Sequence, residues 1–201
     1  MEMRQQVERF KFPLVMTESH FTMQGRNRCD VNSAWGTGVA YARFLNLHQR
    51  HGDLLRIANL GDFCGTRWQS NVIMIPTPGG KSYIMPLGKV TALYRKHTGR
   101  NFVRVSGGPP DLDITASRTG EQFFLHVVNT HRTRQQTCRL AIEGLAVLSG
   151  RAFEIAADPT AEITSAKDDP MTLRERALDP GAPLVFPAAS VTAVEVVTRA
   201  A

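Results

Sequence analysis

The sequence predicts an α/β segment built from two βα units, a portion of a larger (β/α) barrel, followed by an all-β antiparallel sandwich. Three observations predict this. In the first half, short continuous apolar runs alternate with stretches of helical periodicity. From Arg100 onward, apolar residues alternate with polar ones in short runs set off by Gly and Pro. The change between the two patterns falls near residue 100, which divides the 201 residues into 1–100 and 101–201.

Phe12 to Met16 (FPLVM) is apolar at every position, as a strand covered on both faces would be. The polar Thr17-Glu18-Ser19-His20 ends it, and Phe21 to Asn32, with Gly25 and several Asn and Asp, reads as a loop. Val31, Trp35, Val39, Ala42 and Leu45 then recur at three- and four-residue steps, which places them on one helix face. Asp30 is positioned to cap that helix. Gly36 and Gly38 weaken it locally, and Gly52 suits its stop. Leu54 to Leu60 (LLRIANL) gives a second apolar strand, parallel to the first. Gly61 to Pro86 reads as a long loop with a short strand at Val72 to Ile75. A second helix follows at Gly88 to His97, lined by Val90, Leu93, Tyr94 and His97 and ended by Gly99.

The second half carries strand signals at Phe102–Val105, Leu112–Ser117, Gln122–Asn129, Thr137–Ile142, Val147–Ala156 and Ser190–Thr198. Gly120, Gly144, Gly150, Pro159, Pro170, Pro180 and Gly181 punctuate them. The β-branched final strand, around Val191 to Val197, is expected inside the sheet.

Two βα units cannot close a barrel, which takes about 250 residues. The chain is therefore expected to be a piece of a longer protein. Open strand edges and uncovered helix faces in residues 1–100 favour self-association, so a homo-oligomer is one expected state.

Composition narrows the function. The hydrophobic fraction of 42% and the charged fraction of 21% are ordinary for a globular protein. No apolar run approaches the roughly 20 residues of a membrane-spanning helix, so no membrane partner is expected. The net charge of +6 comes from scattered pairs such as Arg26/Arg28, Arg95/Lys96 and Arg132/Arg134. With no dense basic run and no nucleic-acid motif, nucleic acid is not an expected partner. Cys29, Cys64 and Cys138 are far apart and show no metal-ligand spacing, and the histidines add none, so neither metal nor cofactor is expected. Gly79-Gly80-Lys81-Ser82 lacks the upstream glycine of a phosphate loop. Nothing in the sequence assigns a cellular compartment.

Glu18 is the principal candidate for chemistry. Barrel enzymes place catalytic groups just beyond the C-terminal ends of their strands, and Glu18 follows such a strand directly. A carboxylate at a strand end also serves as a surface or capping residue, so its position alone leaves both roles open. His20 suits a hydrogen bond to that carboxylate or to a sugar hydroxyl, and equally a structural role. Trp68, in the loop after the second strand, suits stacking on the apolar face of a sugar ring, or burial.

Several stretches in sequence order resemble the C-terminal part of the α-L-arabinofuranosidase-like glycoside hydrolases, whose members join a (β/α)8 barrel to a β-sandwich. Thr17-Glu18 resembles the end of the seventh barrel strand, Arg56-Ile57-Ala58-Asn59-Leu60 the eighth strand, and Val90 to His97 the last barrel helix. Asn71-Val72-Ile73 fits between them. Leu112 to Arg118 and Leu125 to Asn129 resemble the first sandwich strands, and Phe186 to Thr192 the closing one.

The resemblance implies the last two βα units of the barrel, with Glu18 as catalytic nucleophile and an arabinose-containing carbohydrate as substrate; His20 and Trp68 stay candidate substrate contacts on their own chemistry. The family's acid/base glutamate lies on an earlier strand that this chain lacks. Glu2, Glu8, Asp30, Asp53 and Asp62 do not match its position. Retaining hydrolysis needs two carboxyl groups about 5–5.5 Å apart, so the chain alone is expected to be inactive. The other reading is a non-catalytic β-sandwich module that binds carbohydrate or protein.

Overall fold

The structure, a computed structural model, describes residues 2–19, 33–61, 63–66, 72–76 and 79–200. It opens on helix α1 (Glu2–Phe10), which the sequence pattern did not suggest, followed by strand β1 (Leu14–Met16). Helix α2 (Trp35–Arg50) leads to β2 (Leu55–Ala58), and β1 and β2 pair in parallel. Three two-residue strands, β3 (Cys64–Gly65), β4 (Ile73–Met74) and β5 (Tyr83–Ile84), form a small sheet before helix α3 (Pro86–Lys96).

The first strand corrects one expectation. It is parallel as expected but not covered on both faces, because Val15 is 52% exposed. No closed barrel is present among the described residues; β1 and β2 form a two-stranded sheet.

The start of α2 corrects another. Asp30 lies outside the described residues, and the N-cap position is Ala34, whose side chain makes no capping bond. The first helical amides are satisfied from elsewhere. Trp35 N–H donates to the Ala161 carbonyl at 2.8 Å and Gly36 N–H to the Pro159 carbonyl at 2.8 Å. Main-chain carbonyls distant in sequence thus replace a side-chain cap. Gly36 and Gly38 are close-contact positions: a Cβ on Gly36 would lie 3.1 Å from the Pro159 carbonyl oxygen, and one on Gly38 2.7 Å from the Trp35 ring.

The remaining strands are β6 (Asn101–Val103), β7 (Leu112–Thr119), β8 (Gln122–Asn129), β9 (Gln136–Cys138), β10 (Leu145–Ala156), β11 (Arg174–Leu178), β12 (Leu184–Phe186) and β13 (Ser190–Ala200). Six of them form one antiparallel sheet in the order β11-β10-β13-β8-β7-β6, and β12 and β9 pair as a separate ribbon. The closing strand β13 is internal, between β10 and β8.

Strand alternation sends the two faces of the large sheet into different cores. Leu125, Val127, Ala152, Val194 and Val196 pack with Leu184 and Phe186 on the ribbon side. Val128, Phe153, Ile155, Val191 and Ala193 pack instead with Trp35, Val39 and Ala42 of α2 and with Leu87, Val90, Leu93 and Tyr94 of α3. The second layer on the ribbon side is therefore only two short strands, and the opposite face is closed by the helices. Trp35 fastens this seam through its indole N–H, which donates to the Ala189 carbonyl at 2.5 Å.

Candidate active site

The parallel pairing of β1 and β2 continues past the last residue of each strand. Asn59 N–H donates to the Met16 carbonyl at 2.9 Å, and Gly61 N–H to the Ser19 carbonyl at 2.7 Å. The Ser19 hydroxyl also donates to the Asn59 carbonyl at 2.8 Å. Residues 17–19 are thereby held in an extended run beside 59–61, although neither segment belongs to a strand. Glu18 sits in this run, two residues beyond the end of β1, and is exposed. The sequence pattern places Ser19 just after the first strand and Asn59 in the second, but their contact spans 40 positions and arises only from the parallel pairing.

Of the other candidates, His20 and Trp68 lie outside the described residues, as do Asp30 and Asp62. Among described carboxylates of residues 1–100, Asp53 precedes β2 and pairs with Arg4 at 3.2 Å. Asp53 lies in the turn that leads into β2, at the N-terminal end of the parallel pair, whereas Glu18 lies beyond the C-terminal end of β1. Glu8 lies on α1, which enters the N-terminal end of β1. Neither carboxylate is placed to work on the same bond as Glu18.

Among the described residues, no cluster of three or more His, Cys, Asp or Glu side chains could hold a metal ion. No described helix is long and apolar enough to cross a membrane.

A concavity of about 540 Å³ opens on the ribbon side of the β-domain. Ile114, Ala116, Leu125 and Val127 form its floor, with Arg118 and Glu143 among its charged lining residues. Its two aromatic residues, Phe123 and Phe186, are buried in the ribbon-side core, so neither offers a ring face for stacking on a sugar. This groove has no counterpart to the strand-end position of Glu18.

No protein-family model matches the sequence, and no curated protein does. Solved structures do. The chain is similar to the α-L-arabinofuranosidase from Thermotoga maritima in its arabinose complex, with a TM-score of 0.75 and 19% identity, covering 90% of this chain and 42% of that one. The GH51 α-L-arabinofuranosidase from Thermotoga petrophila gives 0.75 and 19%, with 92% and 43% covered. A β-porphyranase of glycoside hydrolase family 86 from Bacteroides plebeius gives 0.68 and 13%, with 98% and 37% covered. The chain thus spans less than half the length of each. At these identities the likeness establishes architecture: over most of its length, this chain shares the fold of the GH51 α-L-arabinofuranosidases.

Proposed function

We propose that the chain is the C-terminal part of a retaining glycoside hydrolase that removes terminal arabinofuranosyl residues from arabinose-containing carbohydrate. In this reading residues 1–100 are the last two βα units of a (β/α)8 barrel and 101–201 the sandwich. Glu18 is the nucleophile, and His20 and Trp68 contact the sugar. The observation that carries the reading is the position of Glu18, on an extended run beyond the C-terminal end of a parallel strand pair. That is where barrel enzymes assemble their chemistry, and the fold likeness to arabinofuranosidases supports it.

The chemistry is a double displacement. The Glu18 carboxylate attacks the anomeric carbon as the bond to the leaving oxygen breaks, and a carboxylic acid from an earlier barrel strand protonates that oxygen. The same group, now a carboxylate, takes a proton from water, which displaces Glu18 and releases the sugar. Splitting one difficult step into two easier ones is the gain from the covalent intermediate. The second carboxyl group comes from outside this chain, so the chain by itself does not turn over.

The test uses the longer protein in which this chain is embedded, with an aryl α-L-arabinofuranoside as substrate. Glu18→Gln keeps the side-chain shape and removes the charge, and should lower kcat by a factor on the order of 10³ or more. A mechanism-based inhibitor should label a peptide containing Glu18. Near-normal turnover by Glu18→Gln, or a label elsewhere, would overturn the assignment.

A further inference from the structure

The seam between the helices and the large sheet holds a buried to half-buried polar cluster that the proposed chemistry does not use. Asn46 and Gln49 come from α2, Tyr94 from α3, His97 from its C-cap, Thr115 from β7, His126 from β8 and Glu195 from β13. His126 is at its centre, 1% exposed, with its ring stacked on Tyr94 at 3.8 Å between centroids. Its Nδ1 lies 3.1 Å from Gln49 Oε1, which also accepts from the Thr115 hydroxyl at 2.6 Å. Because Gln49 Oε1 only accepts, Nδ1 carries the proton of the neutral ring. Nε2 is buried and makes no well-formed hydrogen bond, although the His97 main chain lies close enough to favour a proton on the ring.

A proton added at Nε2 has no carboxylate to meet it. Glu195, the acid on the neighbouring strand, is held by His97 Nδ1 at 2.7 Å. Asp113 of β7 is engaged by Arg50 at 2.7 Å and faced by Arg43 at 3.6 Å. Tyr94, the remaining titratable group against the ring, presents its face, and its hydroxyl donates to Asn46 Oδ1 at 2.7 Å. The facing His97 adds positive charge when protonated.

We propose that His126 makes this seam an acid-released latch: protonation of its ring unseats α2 and α3 from the sheet. Geometry supplies the mechanism, since the cation can be hydrated only if the helices move off the strand. Burial, reinforced by the charge of His97 and only partly offset by the His97 main chain, pushes the ring of the closed form from 6.5 down to about 3. The open form takes up its proton near 6.5. The contribution of the neutral ring is therefore complete above pH 6.5 and falls as pH drops, by about tenfold in the opening equilibrium per unit until the closed form also protonates. Asp113 does not share this window, because its pairing keeps it ionised to below the usual carboxylate range. His48 of α2 is also pushed down by burial and acts in the same direction, so the test must isolate His126.

Hydrogen–deuterium exchange of the full chain at submicromolar concentration, corrected for the intrinsic pH dependence of exchange, reads the seam directly. Between pH 6.0 and 4.5 the opening equilibrium of α2 and α3 amides should rise by about 20-fold more in the wild type than in His126→Gln. Unchanged helix protection over that range, or an equal acid response in the variant, overturns the proposal. Should His126→Gln fail to fold, the ring nitrogen shifts of His126 in the wild type decide. A neutral ring at pH 4.5 in the closed form, with helix protection falling, supports the latch; a midpoint near 6.5 in the closed form refutes it.

Discussion

Val15 of β1 stands beside Ile57 of β2 across the parallel pair, and both side chains are about half exposed, at 52% and 51%. Two β-branched residues on one face of a parallel sheet are ordinarily covered, because parallel sheets are buried on both sides. Phe12 and Phe63, 72% and 69% exposed, add apolar surface on the flanking segments. In the proposed enzyme this face would be covered by the rest of the barrel.

The first prediction follows from that face. The isolated chain should self-associate at tens of micromolar, and the double variant Val15→Ser/Ile57→Ser should shift it toward monomer. Each exposed aliphatic side chain contributes on the order of 1–2 kcal/mol when covered. Sedimentation velocity checks this. A wild-type chain that is cleanly monomeric would remove the basis for assigning the face to a larger barrel.

The two glycines of α2 give the second prediction. On helix propensity alone, replacing a glycine by alanine stabilises by about 1 kcal/mol. At Gly38 the new Cβ would lie 2.7 Å and 2.9 Å from ring carbons of Trp35 and 3.2 Å from Pro86 Cβ. Trp35 is fully buried and tied to Ala189, so the ring cannot move aside cheaply. Overpacking of this kind costs about 1–3 kcal/mol, so Gly38→Ala should destabilise the fold on balance. A urea midpoint equal to or above the wild type would show that the ring gives way.

The parts of this fold legible in the sequence are those whose pattern arises within one element. Gln122 to Asn129 forms a strand over the expected residues because its apolar run is strong and its ends are polar. Trp35, Val39 and Ala42 are buried together on α2, as their spacing required. Strand β11 shows no apolar alternation in the sequence because Arg174, Glu175 and Arg176 carry the charges of an edge strand. Strand β12 is three residues between Pro183 and Pro187, too short to show a period. At the candidate site, an acid after an apolar run marked Glu18. The carbonyls of Pro159 and Ala161 that begin α2, and the Ser19–Asn59 contact, depend on distant chain segments meeting and leave no local trace.

Asp113 and Asn46 support a third prediction, on pH. Burial raises the Asp113 carboxyl, but hydrogen bonds from Arg50 and Asn46 and the charges of Arg50 and Arg43 outweigh it and hold it below the usual carboxylate range. A depressed folded-state value means stability that is present above the unfolded value of about 3.8 and lost as pH falls through the folded one. Asp113→Asn should therefore destabilise at pH 7 by about 1–3 kcal/mol, with the difference from wild type shrinking below pH 4. Urea unfolding at pH 7 and at pH 3 measures both values. A difference that grows on acidification would contradict the sign.

The last prediction separates a nucleophile from any other role for Glu18. In the longer enzyme proposed for this chain, Glu18→Gly would remove the attacking carboxylate and leave space at the anomeric face of the sugar. Azide is a small anion that needs no general base, so it can occupy that space and attack the anomeric carbon in place of the missing carboxylate. The carbon–nitrogen bond forms as the bond to the aryl oxygen breaks, and the negative charge of azide ends on the leaving group. Added azide should then restore release of the aryl group, and the product should be a β-arabinofuranosyl azide, inverted relative to the α-substrate. An acid/base residue behaves differently: its loss is rescued with retention, because the nucleophile still forms the glycosyl–enzyme and azide merely replaces water in the second step. A positioning residue gives no azide product of either configuration. Proton NMR of the product therefore decides the role of Glu18, and a retained α-azide or none at all would rule out the carboxylate as the attacking group.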